Sequence, residues 1–179
     1  VTTLAHEALY DLLQDQLQDR CEIVTLRDLQ RPTELDSTTP KMIVFDDFVH
    51  VSKQQQQIIE EYAILSRKKM CMCVFLAQSF YAVSKIVRQQ VRYIVLLNMT
   101  DARNLNAIAG TLGSELTAPV LRSVIRNATQ HALNVCIIDV HERDLNKKLR
   151  RNFSDFYAFV EQDGELVAAH IFQGSGILN

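Results

Sequence analysis

The sequence predicts an α/β fold with a mostly parallel sheet and helices on both of its faces. Several predicted strands are apolar along their whole length, which is typical of strands buried on both sides. Segments with helical periodicity lie between these strands, as in βαβ units. A chain of 179 residues fits one sizeable core, so we expect residues 1–179 to form a single domain.

The first half of the chain alternates between helical and strand patterns. Residues 4–17 carry alanine and leucine at helical spacing, and residues 52–68 form a second helix with Ser52 as a suitable N-cap. Between these helices we expect a strand at residues 21–26 and then a loop bounded by prolines. A buried strand at residues 41–47 follows that loop.

The second half repeats this alternation and ends differently. We expect strands at 70–77, 93–97 and 135–139, and helices at 80–90, 101–112 and 117–131. Residues 156–172 contain two runs separated by Asp163-Gly164, a dipeptide that strongly favours a tight turn between antiparallel strands. The chain is therefore expected to close with a β-hairpin.

Composition and charge exclude some classes of protein. The net charge of −2 provides no global positive field of the kind that indicates a nucleic-acid-binding protein, although a local patch remains open. No apolar run approaches the ~18 residues that a membrane span needs. The four cysteines lie in apolar runs without further metal ligands beside them, so we expect reduced core residues in an intracellular protein.

Polar side chains follow two of the predicted buried strands. Asp46 and Asp47 end one strand, and Gln78 ends the next. In an open parallel sheet, ligands gather at the carboxyl ends of the strands. Asp46 could hold Mg²⁺ through a water, Asp47 could activate a water, and Gln78 could sense a γ-phosphate. A helix N-cap or a solvated turn is the more common explanation of an acidic pair at a strand end, and the addition of Gln78 is what favours a catalytic role.

Three strings carry a resemblance to a known family. They are Met42-Ile-Val-Phe-Asp-Asp-Phe48, Phe75-Leu-Ala-Gln-Ser-Phe-Tyr81 and Lys85-Ile-Val-Arg88. These strings resemble successive motifs of the FtsK–HerA superfamily of P-loop ATPases, and in particular the DNA-packaging ATPases of large double-stranded DNA viruses. The resemblance covers most of residues 41–153. It implies a RecA-like core, with residues 1–155 as its C-terminal portion and residues 156–172 as the terminal hairpin.

The resemblance also implies roles for individual residues. Asp46 would be the metal-associated acid of the Walker B motif, Asp47 the catalytic acid and Gln78 the polar sensor. Arg67 would be an arginine finger that reaches the nucleotide of a neighbouring subunit, and Arg103 would lie near the nucleotide. The family's cofactors are ATP and Mg²⁺, and a finger supplied in trans implies a homo-oligomeric ring, a pentamer or a hexamer. Without the resemblance, the favoured interpretation of Arg67 is a cation at the C-terminus of a helix, where the helix dipole stabilises it.

One family motif is missing from the sequence. The phosphate loop has the form Gly-x-x-x-x-Gly-Lys-Ser/Thr, and no such string occurs among the 179 residues. In the family this loop lies upstream of the segment that begins here, and the chain starts with Val-Thr-Thr and not with methionine. We therefore expect the C-terminal portion of an ATPase, inactive by itself.

The resemblance implies double-stranded DNA and capsid proteins as partners. It also implies a location in the host cytoplasm, at a virus assembly site or in the virion. Lysine and arginine suffice to grip phosphates without reading the base sequence. The candidates for this contact are Lys85, Arg88, Lys147, Lys148, Arg150 and Arg151. A solvated helix surface is the alternative for the segment 147–151.

Two further functions stay open at this point. A carboxylate-metal phosphohydrolase or nuclease could use Asp46, Asp47 and Asp139 without a nucleotide. A non-catalytic assembly module derived from an NTPase would need none of these residues for chemistry.

Overall fold

The computed structural model describes residues 1–2, 7–48, 51–113, 116–163 and 165–173. The chain divides into two compact units, a first unit of residues 1–90 and a second unit of residues 91–179. The single-domain organisation expected from the chain length stays a prediction. Within the described ranges, no helix is long and apolar enough to cross a membrane.

The described residues of the first unit form two parallel strands and three α-helices. The strands pair in register from Lys41 opposite Cys71 to Asp46 opposite Leu76. In chain order the elements are α1 (Ala8–Leu17), β1 (Lys41–Asp46), α2 (Lys53–Leu65), β2 (Cys71–Leu76) and α3 (Lys85–Gln90). Since β1 and β2 run in the same direction, their carboxyl ends lie at the same edge of this small sheet.

An aromatic cluster forms the core of the first unit. Phe45 of β1 is fully buried and stacks on Phe75 of β2, with ring centroids 5.2 Å apart. Tyr62 of α2 meets the Phe45 ring edge-on at 5.4 Å. Helix α2 begins with a capping box in which the Ser52 hydroxyl accepts the Gln55 backbone N–H. The cluster therefore fixes β1 and β2 beneath a well-defined helix.

The second unit contains a five-stranded antiparallel sheet. The strands are β3 (Tyr93–Leu96), β4 (Cys136–Asp139), β5 (Leu149–Arg151), β6 (Asp155–Gln162) and β7 (Glu165–Gln173), and they lie side by side in this order. The helices are α4 (Ala102–Leu112), α5 (Ala118–Ala128) and the short α6 (Leu145–Lys148). Each neighbouring pair in this sheet is antiparallel.

Helices α4 and α5 supply much of the core of the second unit. The Asp101 carboxylate caps α4 by accepting the Asn104 backbone N–H at 2.8 Å. Helix α5 buries one face, formed by Leu121, Val124, Ile125 and Ala128. The Tyr157 hydroxyl of β6 donates to Asn127 Oδ1 of α5 at 2.8 Å. This bond ties the helix to the sheet.

The predicted mostly parallel, RecA-like sheet is wrong. The structure has a two-stranded parallel sheet and a separate five-stranded antiparallel sheet. Strand β4 is buried at all four positions, as a strand of a parallel sheet would be. Here, however, α5 and α6 both contact β4. Moreover, only nine residues separate β4 from β5, which is fewer than a parallel crossover needs.

Several element predictions also change. Residues 21–24 form no strand, and Thr25 makes only an isolated bridge to Thr2. Strand β5 lies where the sequence suggested a basic surface segment. The predicted hairpin is present as β6 and β7, with Gln162 opposite Glu165. Asp163 there adopts a left-handed φ of 52°, and Gly164 lies outside the described residues.

Candidate functional site

The acidic pair lies at the carboxyl end of β1. Asp46 is the last residue of the strand, and its backbone N–H donates to the Val1 carbonyl at 2.9 Å. Its side-chain Oδ2 accepts a hydrogen bond from the Tyr10 hydroxyl of α1. This carboxylate raises the pKa of Tyr10 above its usual value, because the hydrogen bond favours the protonated phenol. Among the described residues, none donates a hydrogen bond to the other side-chain oxygen of Asp46, Oδ1.

A backbone reversal separates the two acids. Asp47 adopts φ 48°, in the left-handed region that aspartate and asparagine tolerate better than other residues with a Cβ. This conformation lets Phe48 pack beside Phe75, with ring centroids 5.6 Å apart, on the same aromatic cluster as Phe45. The burial of Phe48 thus fixes the turn, and the Asp47 side chain stays exposed.

Gln78 lies at the same edge as the acids. The register sets Asp46 opposite Leu76, and Gln78 follows Leu76 by two residues. The Gln78 side chain is exposed. Immediately after it, the Ser79 hydroxyl accepts the Ala82 backbone N–H at 3.4 Å and closes a turn. The pairing of β1 and β2 therefore brings the acid pair and the amide to one edge, as the sequence predicts for parallel neighbours.

Arg67 lies at the opposite end of β2. It belongs to a short 3-10 helix, Ser66–Lys69, that precedes the strand, and its side chain is exposed. Six strand residues span about 17 Å at ~3.3 Å per residue. Arg67 is thus separated from Gln78 by the length of β2 within one chain. It therefore does not lie beside the acid pair of the same chain.

The remaining first-unit candidates lie on α3. Lys85 is its exposed first residue. The Arg88 guanidinium lies over the rings of Phe80 and Tyr81, at 5.6 and 6.0 Å from their centroids. Arg88 Nε is buried, and no hydrogen-bond partner for it occurs among the residues that are described. Arg88 therefore packs against the segment that follows Gln78, while Lys85 faces solvent.

The basic segment 147–151 is largely neutralised by neighbouring acids. Lys147 pairs with Asp144 at 3.5 Å. Arg151 pairs with Asp155 at 2.8 Å, and this contact lowers the pKa of the Asp155 carboxyl. The side chain of Lys148 is buried, with only 6% of the residue exposed. The cluster predicted from the sequence therefore presents less free positive charge than its composition indicates.

Asp139 belongs to a separate ionic group. Its carboxylate lies 3.5 Å from Arg150 and 3.8 Å from Arg92, and its Oδ1 accepts the His141 backbone N–H at 3.2 Å. The residue is only 3% exposed. Two arginines and a backbone N–H thus already contact the Asp139 carboxylate, which the nuclease alternative requires as a metal ligand. Arg103, the remaining nucleotide candidate, is an exposed residue in the first turn of α4 in the second unit.

The donor set at the β1–β2 edge fits one half of a nucleotide site. Across the described ranges, no group of three or more histidine, cysteine or acidic side chains could enclose a metal ion. Mg²⁺ commonly needs only one or two carboxylates, since water and substrate phosphates complete its shell. Asp46 and Asp47 fit this smaller requirement. The sequence contains no glycine-rich loop to cradle the phosphates, so these residues do not complete an ATP site.

Tyr10 is the contact that sequence reasoning missed. It lies 36 residues before Asp46, in a helix whose apolar pattern gave it no special role. A tyrosine among helical leucines carries no local signal that it will reach a distant carboxylate. Only the position of α1 against the end of β1 reveals the contact.

No protein-family model, curated protein or solved structure matches this chain.

Proposed function

We propose that this chain supplies the metal-and-water side of an ATP-hydrolysing site in a motor that moves double-stranded DNA. One observation carries the proposal: the parallel register of β1 and β2 sets Asp46 and Asp47 at the same edge as Gln78. The proposal concerns this edge only. It does not depend on the antiparallel sheet of the second unit.

Each residue at the edge has a defined task in this proposal. Asp46 would hold Mg²⁺, directly or through a water, with the oxygen that Tyr10 leaves open. Asp47 is exposed and would orient and deprotonate the attacking water. Gln78 would donate its amide N–H to a γ-phosphate oxygen and so distinguish ATP from ADP. The phosphate cradle must come from a segment outside these 179 residues.

Arg67 fits a role between subunits. It lies at the far end of β2 from Gln78, so it would serve a neighbouring active site and not its own. A guanidinium placed against the transferring phosphoryl group stabilises negative charge in the transition state. We therefore propose a ring of identical subunits, a pentamer or a hexamer, in which Arg67 completes the next subunit's site.

We further propose that the motor packages a viral genome into a capsid. It is supported by the resemblance of the β1 and β2 strings to DNA-packaging ATPases, which also suggests capsid proteins as partners and a viral assembly site as the location. The nuclease alternative is less favoured, because Arg92 and Arg150 already neutralise Asp139.

The test is DNA-stimulated ATP hydrolysis by the native gene product. Asp47→Asn should lower kcat at least 100-fold, since a positioned general base contributes roughly 10²–10⁴. Asparagine tolerates the φ of 48° at this position, so the variant removes the base without straining the turn. Asp15→Asn, at an exposed acid of α1, is the matched control and should retain full activity. Unchanged hydrolysis in Asp47→Asn would exclude the proposal.

The ring is tested by mixing inactive subunits. Arg67→Ala and Asp47→Asn subunits should each hydrolyse ATP poorly alone. When they are mixed, an intact Arg67 meets an intact Asp47 at some interfaces, so part of the activity should return. No recovery at any mixing ratio would rule out a finger acting in trans.

A further inference from the structure

Helix α5 exposes a continuous polar stripe with positive charge. Its apolar face is buried, and the opposite face consists of residues at helical spacing. The exposed members are Pro119, Arg122, Ser123, Arg126, Asn127 and Gln130, the last of which lies two residues beyond the end of the helix. Each member after Pro119 carries a side chain that can donate a hydrogen bond to a phosphate oxygen.

The two arginines of this stripe have no acidic partner in the part of the chain that the structure describes. No ion pair or side-chain hydrogen bond of Arg122 or Arg126 occurs within the described ranges. Between Asp101 and Asp139 the sequence contains a single acidic residue, Glu115. The stripe therefore differs from the segment 147–151, where each of the four cations pairs with an acid or is buried.

The spacing of the stripe suits a polyanion. Arg122 and Arg126 lie one turn apart, with a rise of about 6 Å between them. Asn127 accepts the Tyr157 hydroxyl with its oxygen, which orients its amide group and leaves the NH₂ free to donate. An ordinary solvated helix face mixes both signs of charge, and this one has no acid.

We infer that the exposed face of α5 is a contact surface for the phosphate backbone of double-stranded DNA. The surface is defined by Arg122, Ser123, Arg126, Asn127 and Gln130. Charge complementarity selects a polyanion, and the inference rests on the proposed function for the choice of duplex DNA among polyanions. Contacts to phosphates carry no sequence information, so we expect the affinity to be independent of base sequence.

The test measures DNA binding without nucleotide, by fluorescence anisotropy of a labelled duplex over a range of salt concentrations. Each phosphate neutralised by a cation contributes about 0.9 to the slope of log K against log salt. Arg122→Ala/Arg126→Ala should therefore reduce the slope by about 1.8 and weaken binding at least tenfold at moderate salt. Alanine is a strong helix former, so this exposed double variant keeps the helix intact.

Two matched variants complete the design. Arg20→Ala/Arg27→Ala removes the same charge from exposed positions of the first unit and should leave the slope near that of the wild type. Arg122→Lys/Arg126→Lys keeps the charge and should retain most of the binding.

Three results would overturn the inference. One is a wild-type chain that does not bind the duplex at low salt. Another is an equal loss of affinity in the α5 variant and in the Arg20/Arg27 variant. The third is competition by polyglutamate as effective as by DNA, which would assign the surface to an acidic protein. Because no ATP is present, these results are separate from the hydrolysis test, and either proposal can fail without the other.

Discussion

Replacing Phe45 by alanine should lower the free energy of unfolding by about 4 kcal/mol. Phe45 is fully buried, and truncating a buried phenylalanine to alanine costs about 3–5 kcal/mol through lost transfer energy and a residual cavity. The stacked contact with Phe75 and the edge-on contact with Tyr62 place the cost toward the middle or upper part of that range. Typical domains have ~5–15 kcal/mol in total, so the loss is a large fraction of the stability.

The assay is urea denaturation followed by far-ultraviolet circular dichroism, because the chain contains no tryptophan for fluorescence. Met42→Ala is the matched control, since Met42 lies on the same strand but is 59% exposed on the opposite face. Its cost should stay below about 1 kcal/mol. If Phe45→Ala cost as little as Met42→Ala, the aromatic cluster would not hold β1, and the placement of Asp46 would lose its structural support.

Three further predictions concern single side chains. Burial raises the pKa of the Cys136 thiol to about 12 from 9.0, so at pH 8 it should react with a thiol reagent at least ~10-fold more slowly than a cysteine of ordinary pKa. Timed labelling followed by mass spectrometry measures this rate, and a rate equal to that of Cys21 would contradict the prediction. Asp139→Asn leaves the Arg150 guanidinium without its counter-charge and should lower the free energy of unfolding by about 2 kcal/mol. Urea denaturation measures this loss, and an unchanged midpoint would contradict a stabilising role of the ion pair. Burial raises the pKa of Tyr62 to about 12 from 10.0, so the folded chain keeps this phenol neutral where the unfolded chain ionises it. Its stabilising effect is therefore complete below pH 10 and is lost as the pH rises from 10 to 12, and Tyr62→Phe should flatten that decline in a series of thermal melts.

Sequence patterns located the elements better than their pairing. The predicted helix at 101–112 and the predicted strand at 93–97 lie within one residue of α4 and β3. Periodicity reports which faces are apolar, but it does not report which strand is the neighbour or its direction. The continuous apolar run of β4 has the same appearance under a parallel or an antiparallel arrangement. The strand contacts both α5 and α6, which only the tertiary structure shows.

The candidate site was predictable where it depended on local sequence. Asp46 and Gln78 each follow an apolar run, and the parallel pairing of those two runs sets them at one edge. Long-range contacts were not predictable in this way. The hydrogen bond from Tyr10 to Asp46 and the pairing of Arg150 with Asp139 join residues that are distant or unremarkable in sequence. Charge counts alone favoured the segment 147–151 over α5, because composition does not reveal which cations are already paired.

The central claim is that the ends of β1 and β2 form one hydrolytic site. A double-mutant cycle on DNA-stimulated ATP hydrolysis tests it most directly, with Asp47→Asn, Gln78→Ala and the combined variant. Residues that act on the same reacting phosphate lose activity non-additively. We predict that each single change lowers kcat and that the combined variant is little slower than Asp47→Asn alone. A combined loss equal to the product of the two single losses, or no loss in either single variant, would contradict the claim.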